Sequence, residues 1–330
     1  MENSLRDSVL GHARFIARLK GFFAERGYAE VETPTLSPYL IPEPAIEVFR
    51  TDFLSRSGAT VPLWLIPSPE LWMKRLLARG SGDIFQVSRS FRNGDFGGAF
   101  HNPEFRLLEW YTMNAGYRES IPIAEELFAF LLASGEHLGG RREALAPPFL
   151  RYTMEEAFRV FAGIELAACL EIDAMREAGI SKGLAMPVGL TWEEAFHIVF
   201  LTLVEPAIPR EHPVVLMDYP RQIPTTARLL PGTPWSERWE LYVDGVEIAN
   251  CYTEETDPGA LEVLLNEESE RKKACSVQHR IDRELAGLFG PGFPLCSGAA
   301  MGIDRLEMVF RGEKSLEGVI LFPFSAILGS

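Results

Sequence analysis

The stretch IFQVSRSFRNGDFGGAFHNPEFRLLEWY, residues 84–111, decides the fold of this chain. Two strand-like runs, residues 84–92 and 103–111, flank a glycine-rich loop from Asn93 to Asn102. Alternate side chains of a strand share one face of the sheet. The pattern therefore predicts paired strands, with one face carrying Gln86, Ser88, Ser90 and Arg92 on the first strand and Phe105, Leu107, Glu109 and Tyr111 on the second.

The loop between these strands has the composition of a phosphate-binding loop. It holds three glycines, Gly94 among them, and it is bordered by Arg92 and His101. Backbone amides of small residues approach phosphate closely, and both flanking side chains can donate hydrogen bonds. A solvated sheet face is the alternative, and the apolar Phe105 and Leu107 disfavour it.

A second paired element is predicted over Arg238 to Glu254. Asp244-Gly245 at its centre is a strong hairpin signal, and it sets Tyr242 opposite Glu247 with Glu240 diagonal on the same face. Two such carboxylates repel each other unless a cation lies between them, and oxygen ligands suit Mg²⁺. The alternative is an edge with both glutamates in water.

The residues after Glu247 have the opposite parity along this strand. Asn250, Tyr252 and Glu254 share a face with each other but not with Glu247 in a regular strand. A single β-bulge would bring all four onto one face.

A third element spans Ser297 to Arg305. Small side chains, including Ala300 and Gly302, lead into a helix whose first turn carries Arg305. Small residues let a flat ligand approach the backbone, and the arginine can clamp a phosphate or stack on a base. Core packing alone explains the small residues but not the arginine.

The remaining patterns predict helices and short strands within a single domain, residues 1–330. A helix from Leu5 ends near Gly27 and leads to a short strand before Pro34. Ser68 is predicted as the N-cap of the next helix, and residues 262–289 as a long charged helical region. Residues 115–133 are predicted as a helix, 319–322 as a last strand, and 136–230 as a helical excursion of unclear role.

Composition restricts the class of protein. The net charge is −14, so a large nucleic-acid footprint is not expected and we expect no tRNA partner. The four cysteines form no C-x-x-C pair, and we expect reduced thiols. No signal sequence and no run of about 18 apolar residues is found, so we expect a cytoplasmic protein without a membrane partner.

The three elements, in this order, resemble the three signature motifs of class II aminoacyl-tRNA synthetases. The pairing of His101-Asn102-Pro103-Glu104-Phe105 with Gly302-Ile303-Asp304-Arg305 is similar to the lysine, aspartate and asparagine branch. Ser68-Pro69-Glu70 and Asn250 to Glu254 are similar to the lysine enzymes. The resemblance implies an α+β catalytic fold, a mostly antiparallel sheet flanked by helices, and a homodimer. The resemblance does not extend to residues 136–230.

Within that branch the chain resembles the elongation factor P–lysine ligases. The first motif lies almost at the start of the sequence, with no room for an anticodon-binding barrel before it. Ala300 stands where the lysyl-tRNA synthetases carry glycine and the ligases alanine. The resemblance implies ATP-dependent activation of (R)-β-lysine or lysine as an adenylate. The product would pass to a lysine side chain of elongation factor P.

The resemblance also implies the residue roles. Arg92 and Arg305 would be catalytic. Glu247, with Glu240 as second candidate, would hold Mg²⁺. ATP would contact Arg92, Asn93, Gly94, His101, Asn102, Phe105, Glu247, Ile248, Gly302 and Arg305. The amino acid would contact Ser68, Glu70, Glu109, Tyr111, Asn250, Tyr252, Glu254 and Ala300.

Two positions depart from the family pattern. Gly94 stands where the second motif usually has glutamate, and Asp95 or the backbone would take over its contacts. Cys251 stands where glycine is common. Two other functions stay open from sequence: an enzyme that acylates tRNA or a small molecule, and an inactive relative that only binds a ligand.

Overall fold

A computed structural model describes residues 5–94, 98–135, 142–282, 284–289 and 292–328. The strands are β1 (Ala29–Glu30), β2 (Leu36–Ser37), β3 (Arg50–Leu54), β4 (Thr60–Leu65), β5 (Ile84–Phe91), β6 (Glu104–Met113), β7 (Leu150–Thr153), β8 (Val214–Pro220), β9 (Trp235–Val243), β10 (Val246–Thr253) and β11 (Cys296–Gly302).

The α-helices are α1 (Leu5–Glu25), α2 (Glu70–Leu77), α3 (Tyr117–Ala133), α4 (Met154–Ala157), α5 (Ile172–Ser181), α6 (Trp192–Val199), α7 (Pro258–Lys272), α8 (Leu285–Leu288), α9 (Ile303–Arg311) and α10 (Phe324–Leu328). Two π-helical segments, Phe158–Ala162 and Phe200–Val204, continue α4 and α6. Short 3₁₀ turns cover Glu143–Leu145, Leu166–Ala168, Glu205–Ala207 and Leu316–Gly318.

One eight-stranded sheet organises the fold, in the order β1-β5-β6-β11-β10-β9-β8-β7. Its neighbours pair antiparallel except at the two ends, where β1 pairs with β5 and β7 with β8 in parallel. The predicted α+β class with a mostly antiparallel sheet is therefore confirmed. The predicted pairing of β5 with β6 is also confirmed, with Gln86 opposite Glu109 and Ser90 opposite Phe105.

One face of this sheet is covered by helices, and the other carries polar side chains. Trp110 and Trp239 point to one face and are fully buried against helices α1, α3 and α9, together with Phe23 and Phe128. Aromatic side chains of this size supply much of the apolar area that a core buries. The opposite face of the central strands carries polar side chains and remains available for a site.

A second core lies beside the far end of the sheet. Phe158, Phe196 and Phe200 stack on one another, with neighbouring ring centroids 5.1–6.4 Å apart. They pack against Leu216 of β8. From residue 142 on, the segment 136–230 contains the expected helices, but it also supplies β7 and β8, which the sequence pattern did not reveal. The single-domain organisation stays a prediction.

Three local predictions are wrong. Residues 319–322 form no strand, because the Val319 and Ile320 amides donate to the Leu316 carbonyl and the segment continues a 3₁₀ turn. Ser68 is not the N-cap: α2 starts at Glu70, and Pro69 holds the cap position without a side-chain hydrogen bond. The charged region 262–289 is not one helix. The Gln278 side chain caps the end of α7 by donating to carbonyls that include that of Lys272.

Across the described residues, no helix is both long and apolar enough to span a bilayer. All four cysteines are free, and three of them are buried.

Candidate active site

Two adjoining cavities open on the polar face of the sheet. The first has a volume of about 510 Å³ and the second about 320 Å³. Both are bounded by Arg92, Leu107, Asn250 and Ala300, so these side chains form a common wall. A molecule in one cavity can therefore meet a molecule in the other beside Arg92.

The first cavity collects every residue that the sequence assigned to ATP. Strands β5, β6, β10 and β11, the loop after β5 and the start of α9 converge there. The predicted residues on its wall are Arg92, Asn93, Gly94, His101, Asn102, Phe105, Glu247, Ile248, Gly302 and Arg305. Their roles toward ATP stay predictions.

Arg305 is held in place by three directed contacts. Its guanidinium donates to the Phe100 carbonyl at 3.1 Å and to the Glu247 carbonyl at 2.9 Å, and it lies 3.1 Å from His101 Nε2. The side chain is still 25% exposed. A fixed, partly exposed guanidinium is suited to an anion.

Arg92 lies over an aromatic ring at the common wall. Its guanidinium carbon is 5.2 Å from the centroid of Phe105, and its Nε is buried without a hydrogen-bond partner in the described part of the chain. A buried donor of this kind has hydrogen-bonding capacity to offer an anionic ligand.

The departure at Gly94 has a backbone explanation. Gly94 has φ +76°, a conformation that glutamate adopts only with strain, and no atom would crowd a Cβ there. Asp95, the suggested replacement, lies outside the described residues.

Asn93 and Asn102 anchor the glycine-rich loop to other parts of the chain. The Asn93 amide donates to the Glu47 carbonyl, and Asn102 Oδ1 accepts from the Phe324 amide at 2.9 Å.

The β-bulge that would bring Glu247 and Asn250 to one face is present in β10. The register shifts between Glu247 and Ala249, so Glu247 pairs with Tyr242 while Asn250 pairs with Glu240. Ile248, the extra residue, buries its side chain in the main core. As a result Glu247 and Asn250 share the face that borders the cavities.

The two glutamates proposed for Mg²⁺ differ in how well they fit a metal. The Glu247 carboxylate is 39% exposed, and burial together with Glu240 raises its pKa to about 7. Both oxygens of Glu240 are already engaged, by Arg238 at 2.6 Å and by Tyr219 and Tyr242 at 2.6 and 2.8 Å. Glu247 therefore fits a metal ligand. Glu240 as the second ligand stays a prediction, and it would have to release these bonds.

The second cavity collects the residues assigned to the amino acid, with one exception. Ser68, Glu70, Glu109, Tyr111, Asn250, Tyr252 and Ala300 line it. Glu254 is fully buried behind the wall and is not among the lining residues. Its direct contact with a substrate stays a prediction.

Glu109 is a buried carboxyl group with an unused oxygen. Its Oε1 accepts from the Tyr111 hydroxyl at 2.9 Å, whereas its Oε2 has no partner among the described residues. Burial, and then the nearby Glu70, raise the pKa of Glu109 well above its usual value. A cation that binds beside Glu109 stabilises its ionised form, because the positive charge compensates the negative charge of the carboxylate.

Lys74 is a residue of this site to which the sequence analysis gave no role. Its Nζ is fully buried, 2.5 Å from Glu70 Oε1 and 2.7 Å from Glu254 Oε2. The spacing of four residues between Glu70 and Lys74 on one helix could have indicated this pair.

The segment 136–230 was expected to have no clear role, yet it completes the second cavity. Glu193 and His197 of α6 line it, together with residues 223–226. Glu193 is 2.5 Å from Arg271 of α7, which also lines the cavity. No sequence motif predicted these contacts.

Gly298 allows two walls of this cavity to meet. A Cβ at this position would lie 2.5 Å from Tyr111 Cε1 and 2.8 Å from Glu254 Oε1. Its backbone is not in the left-handed region, so space rather than conformation requires glycine here.

Known proteins resemble this chain over nearly all of its length. Residues 2–326 match the family described as tRNA synthetases class II (D, K and N), which includes the segment that the resemblance had left out. A protein of Pasteurella multocida (strain Pm70) is 33% identical over 319 residues, 96% of this chain and 94% of the relative. One of Baumannia cicadellinicola subsp. Homalodisca coagulata is 34% identical, covering 94% and 93%. Both are named elongation factor P–(R)-β-lysine ligase.

Proposed function

Since this chain belongs to the class II tRNA synthetase family of the D, K and N type, we propose that it activates (R)-β-lysine with ATP and transfers it to a lysine side chain of elongation factor P. The observation that carries the proposal is the pair of cavities that share Arg92. One is lined by arginine and histidine and the other by carboxylates, as a nucleotide and a diamino acid require.

The chemistry takes two steps. A carboxylate oxygen of the amino acid attacks the α-phosphorus of ATP, the bond to pyrophosphate breaks, and an aminoacyl-adenylate forms. The acceptor amine then attacks the carbonyl carbon, AMP leaves with the bonding electrons, and the amine loses a proton. Neither step needs a protein nucleophile, so catalysis is positioning and charge stabilisation.

The polar residues divide this work. Arg92, at the common wall, would neutralise the charge that develops at the α-phosphate, and Arg305 with His101 would hold the outer phosphates. Phe105 would stack on adenine. Glu247 would hold Mg²⁺, which neutralises phosphate charge when bound.

The second cavity accounts for a substrate with two ammonium groups. Glu70 and Glu109 line it, and each is buried or nearly so. Ala300 lies opposite both Glu109 and Asn250 in the sheet, so its methyl group occupies the floor where the substrate backbone would lie. We infer that this methyl favours a β-amino acid, in which the amine is one carbon farther from the carboxylate.

Pyrophosphate exchange tests the first step. The purified protein should exchange pyrophosphate into ATP faster with (R)-β-lysine than with α-lysine, and not with neutral amino acids. Arg92→Ala should abolish exchange. If α-lysine supports faster exchange than β-lysine, the assignment of the substrate is wrong.

Mass spectrometry of elongation factor P tests the second step. The factor should gain the mass of one lysyl residue, and a factor with its acceptor lysine changed to arginine should not. Charging of tRNA without modification of the factor would overturn the proposal in favour of a synthetase-like enzyme.

We also propose that the chain is one catalytic domain, which the continuous eight-stranded sheet supports. We propose that it works as a cytoplasmic homodimer and does not use tRNA. Light scattering on the purified protein tests the dimer, because it gives the mass of the particle directly.

A further inference from the structure

We propose that Lys74 is a positioning residue for amino-acid recognition: it keeps Glu70 ionised and commits one oxygen of that carboxylate, so that the other oxygen faces the substrate ammonium group. This inference rests on the proposed function. It concerns a side chain that does not line either cavity.

The contacts of Glu70 are all on one oxygen. Oε1 is 2.5 Å from Lys74 Nζ, accepts from the Tyr252 hydroxyl at 2.7 Å, and lies 3.4 Å from Thr226 Oγ1. Within the described ranges, Oε2 has no hydrogen-bond partner. Since Glu70 lines the second cavity, the uncommitted oxygen is the one available to a ligand there.

Lys74 is itself rigidly held. Its side chain is fully buried, and its Nζ contacts Glu70, Glu254 and Thr226 Oγ1, the last at 3.0 Å. Its hydrogen bonds go to Glu70 Oε1 and Thr226 Oγ1, and it forms an ion pair with Glu254. A buried ammonium group held between two carboxylates can fix the position of both glutamates.

The same lysine affects the charge of Glu70. Burial, the largest influence, raises the pKa of Glu70, but Lys74 together with the hydrogen bonds from Tyr252 and Thr226 lowers it, and the pKa ends below its usual value. Removing Lys74 would therefore raise the pKa of Glu70, and a protonated carboxyl binds ammonium poorly. Other ionisable groups that face this cluster are Glu43, Glu109, Glu254, Tyr111, Tyr252 and Cys296.

The test is pyrophosphate exchange by Lys74→Met and wild type, with KM for (R)-β-lysine measured across pH. The quantity compared is the ratio of the variant KM to the wild-type KM. Since Lys74 also lowers the pKa of Glu254 and of Glu109, the part of the pH dependence assigned to Glu70 is the part that disappears when Lys74→Met is placed in a Glu70→Gln background. We expect this ratio to rise by up to about tenfold for each pH unit below the raised pKa of Glu70. It should fall back as pH increases, with KM for ATP within about twofold of wild type.

Two control variants separate this role from a structural one. Lys74→Arg keeps the charge and should restore a ratio that depends little on pH. Thr226→Val removes a neutral and weaker partner of the same oxygen, and its ratio should vary with pH much less than that of Lys74→Met. Circular dichroism checks that each variant is folded.

The outcomes are distinct. A Lys74→Met ratio that is constant with pH, or an equal rise of KM for ATP, overturns the positioning role. A folded Lys74→Met with unchanged KM at every pH also overturns it. If wild type shows no exchange with any diamino acid, the proposed function fails instead, independently of Lys74.

Discussion

Replacing Glu109 with glutamine should raise stability and lower activity at the same time. The carboxyl is 3% exposed, its Oε2 has no partner in the described structure, and its pKa lies well above the usual value because of burial. Glutamine has a similar shape and carries no charge. The substitution therefore removes a destabilising ionisation and, with it, a partner for the substrate ammonium.

The size of both effects follows from the site. An acid whose folded pKa exceeds its unfolded pKa loses stability as pH rises between the two values, by about 1.4 kcal/mol per pH unit. Below the unfolded pKa no difference is expected. Loss of a charge-assisted contact costs about 1.5–3 kcal/mol, roughly 10- to 150-fold in KM for the amino acid.

Thermal denaturation without substrates and pyrophosphate exchange measure the two effects. The Tm of Glu109→Gln should exceed that of wild type by an amount that grows with pH, while KM for ATP stays unchanged. Glu240→Gln is the matched contrast, because Glu240 is also buried but fully hydrogen-bonded. It should lose about 1.5–3 kcal/mol. A Glu109 variant that is less stable than wild type and activates β-lysine normally would refute the reasoning.

Three further predictions follow from the same geometry. Gly298→Ala should lose about 1–3 kcal/mol and raise KM for the amino acid, because its Cβ would lie 2.5 Å from Tyr111 Cε1. Its control in thermal denaturation is Gly21→Ala, a helical position with no atom within 4 Å of the added carbon, which should gain about 0.5–1 kcal/mol. Arg305→Gln should raise KM for ATP at least about tenfold and leave the far-ultraviolet spectrum unchanged. The Mg²⁺ concentration for half-maximal exchange should fall as pH rises through about 7, because Glu247 must lose its proton to bind the metal. An unchanged Mg²⁺ requirement in Glu247→Gln would contradict that assignment.

Local patterns predicted the central strands well, because pairing and alternation are properties of neighbouring residues. The β5–β6 pair, the hairpin at Asp244-Gly245 and helix α9 lie where the sequence placed them. The bulge in β10, which the sequence analysis gave only as a condition for bringing Glu247 and Asn250 to one face, was established by the structure.

The errors have separate causes. The predicted strand at 319–322 is a turn instead, closed by hydrogen bonds from the Val319 and Ile320 amides to the Leu316 carbonyl. Strands β7 and β8 went unrecognised because no motif marked them within the long helical segment.

The sequence by itself determined which strand side chains lie on the polar face of the sheet, because their spacing along strands sets which side they face. The residues that border the first cavity were named by the family resemblance. Only the tertiary structure decided which carboxylates are free. Glu240 is saturated by two tyrosines and an arginine, Glu254 is held behind the wall by Lys74, and Glu109 keeps an uncommitted oxygen. These differences arise from partners that are up to 180 residues apart in sequence, as between Glu254 and Lys74. No local pattern encodes such a pairing.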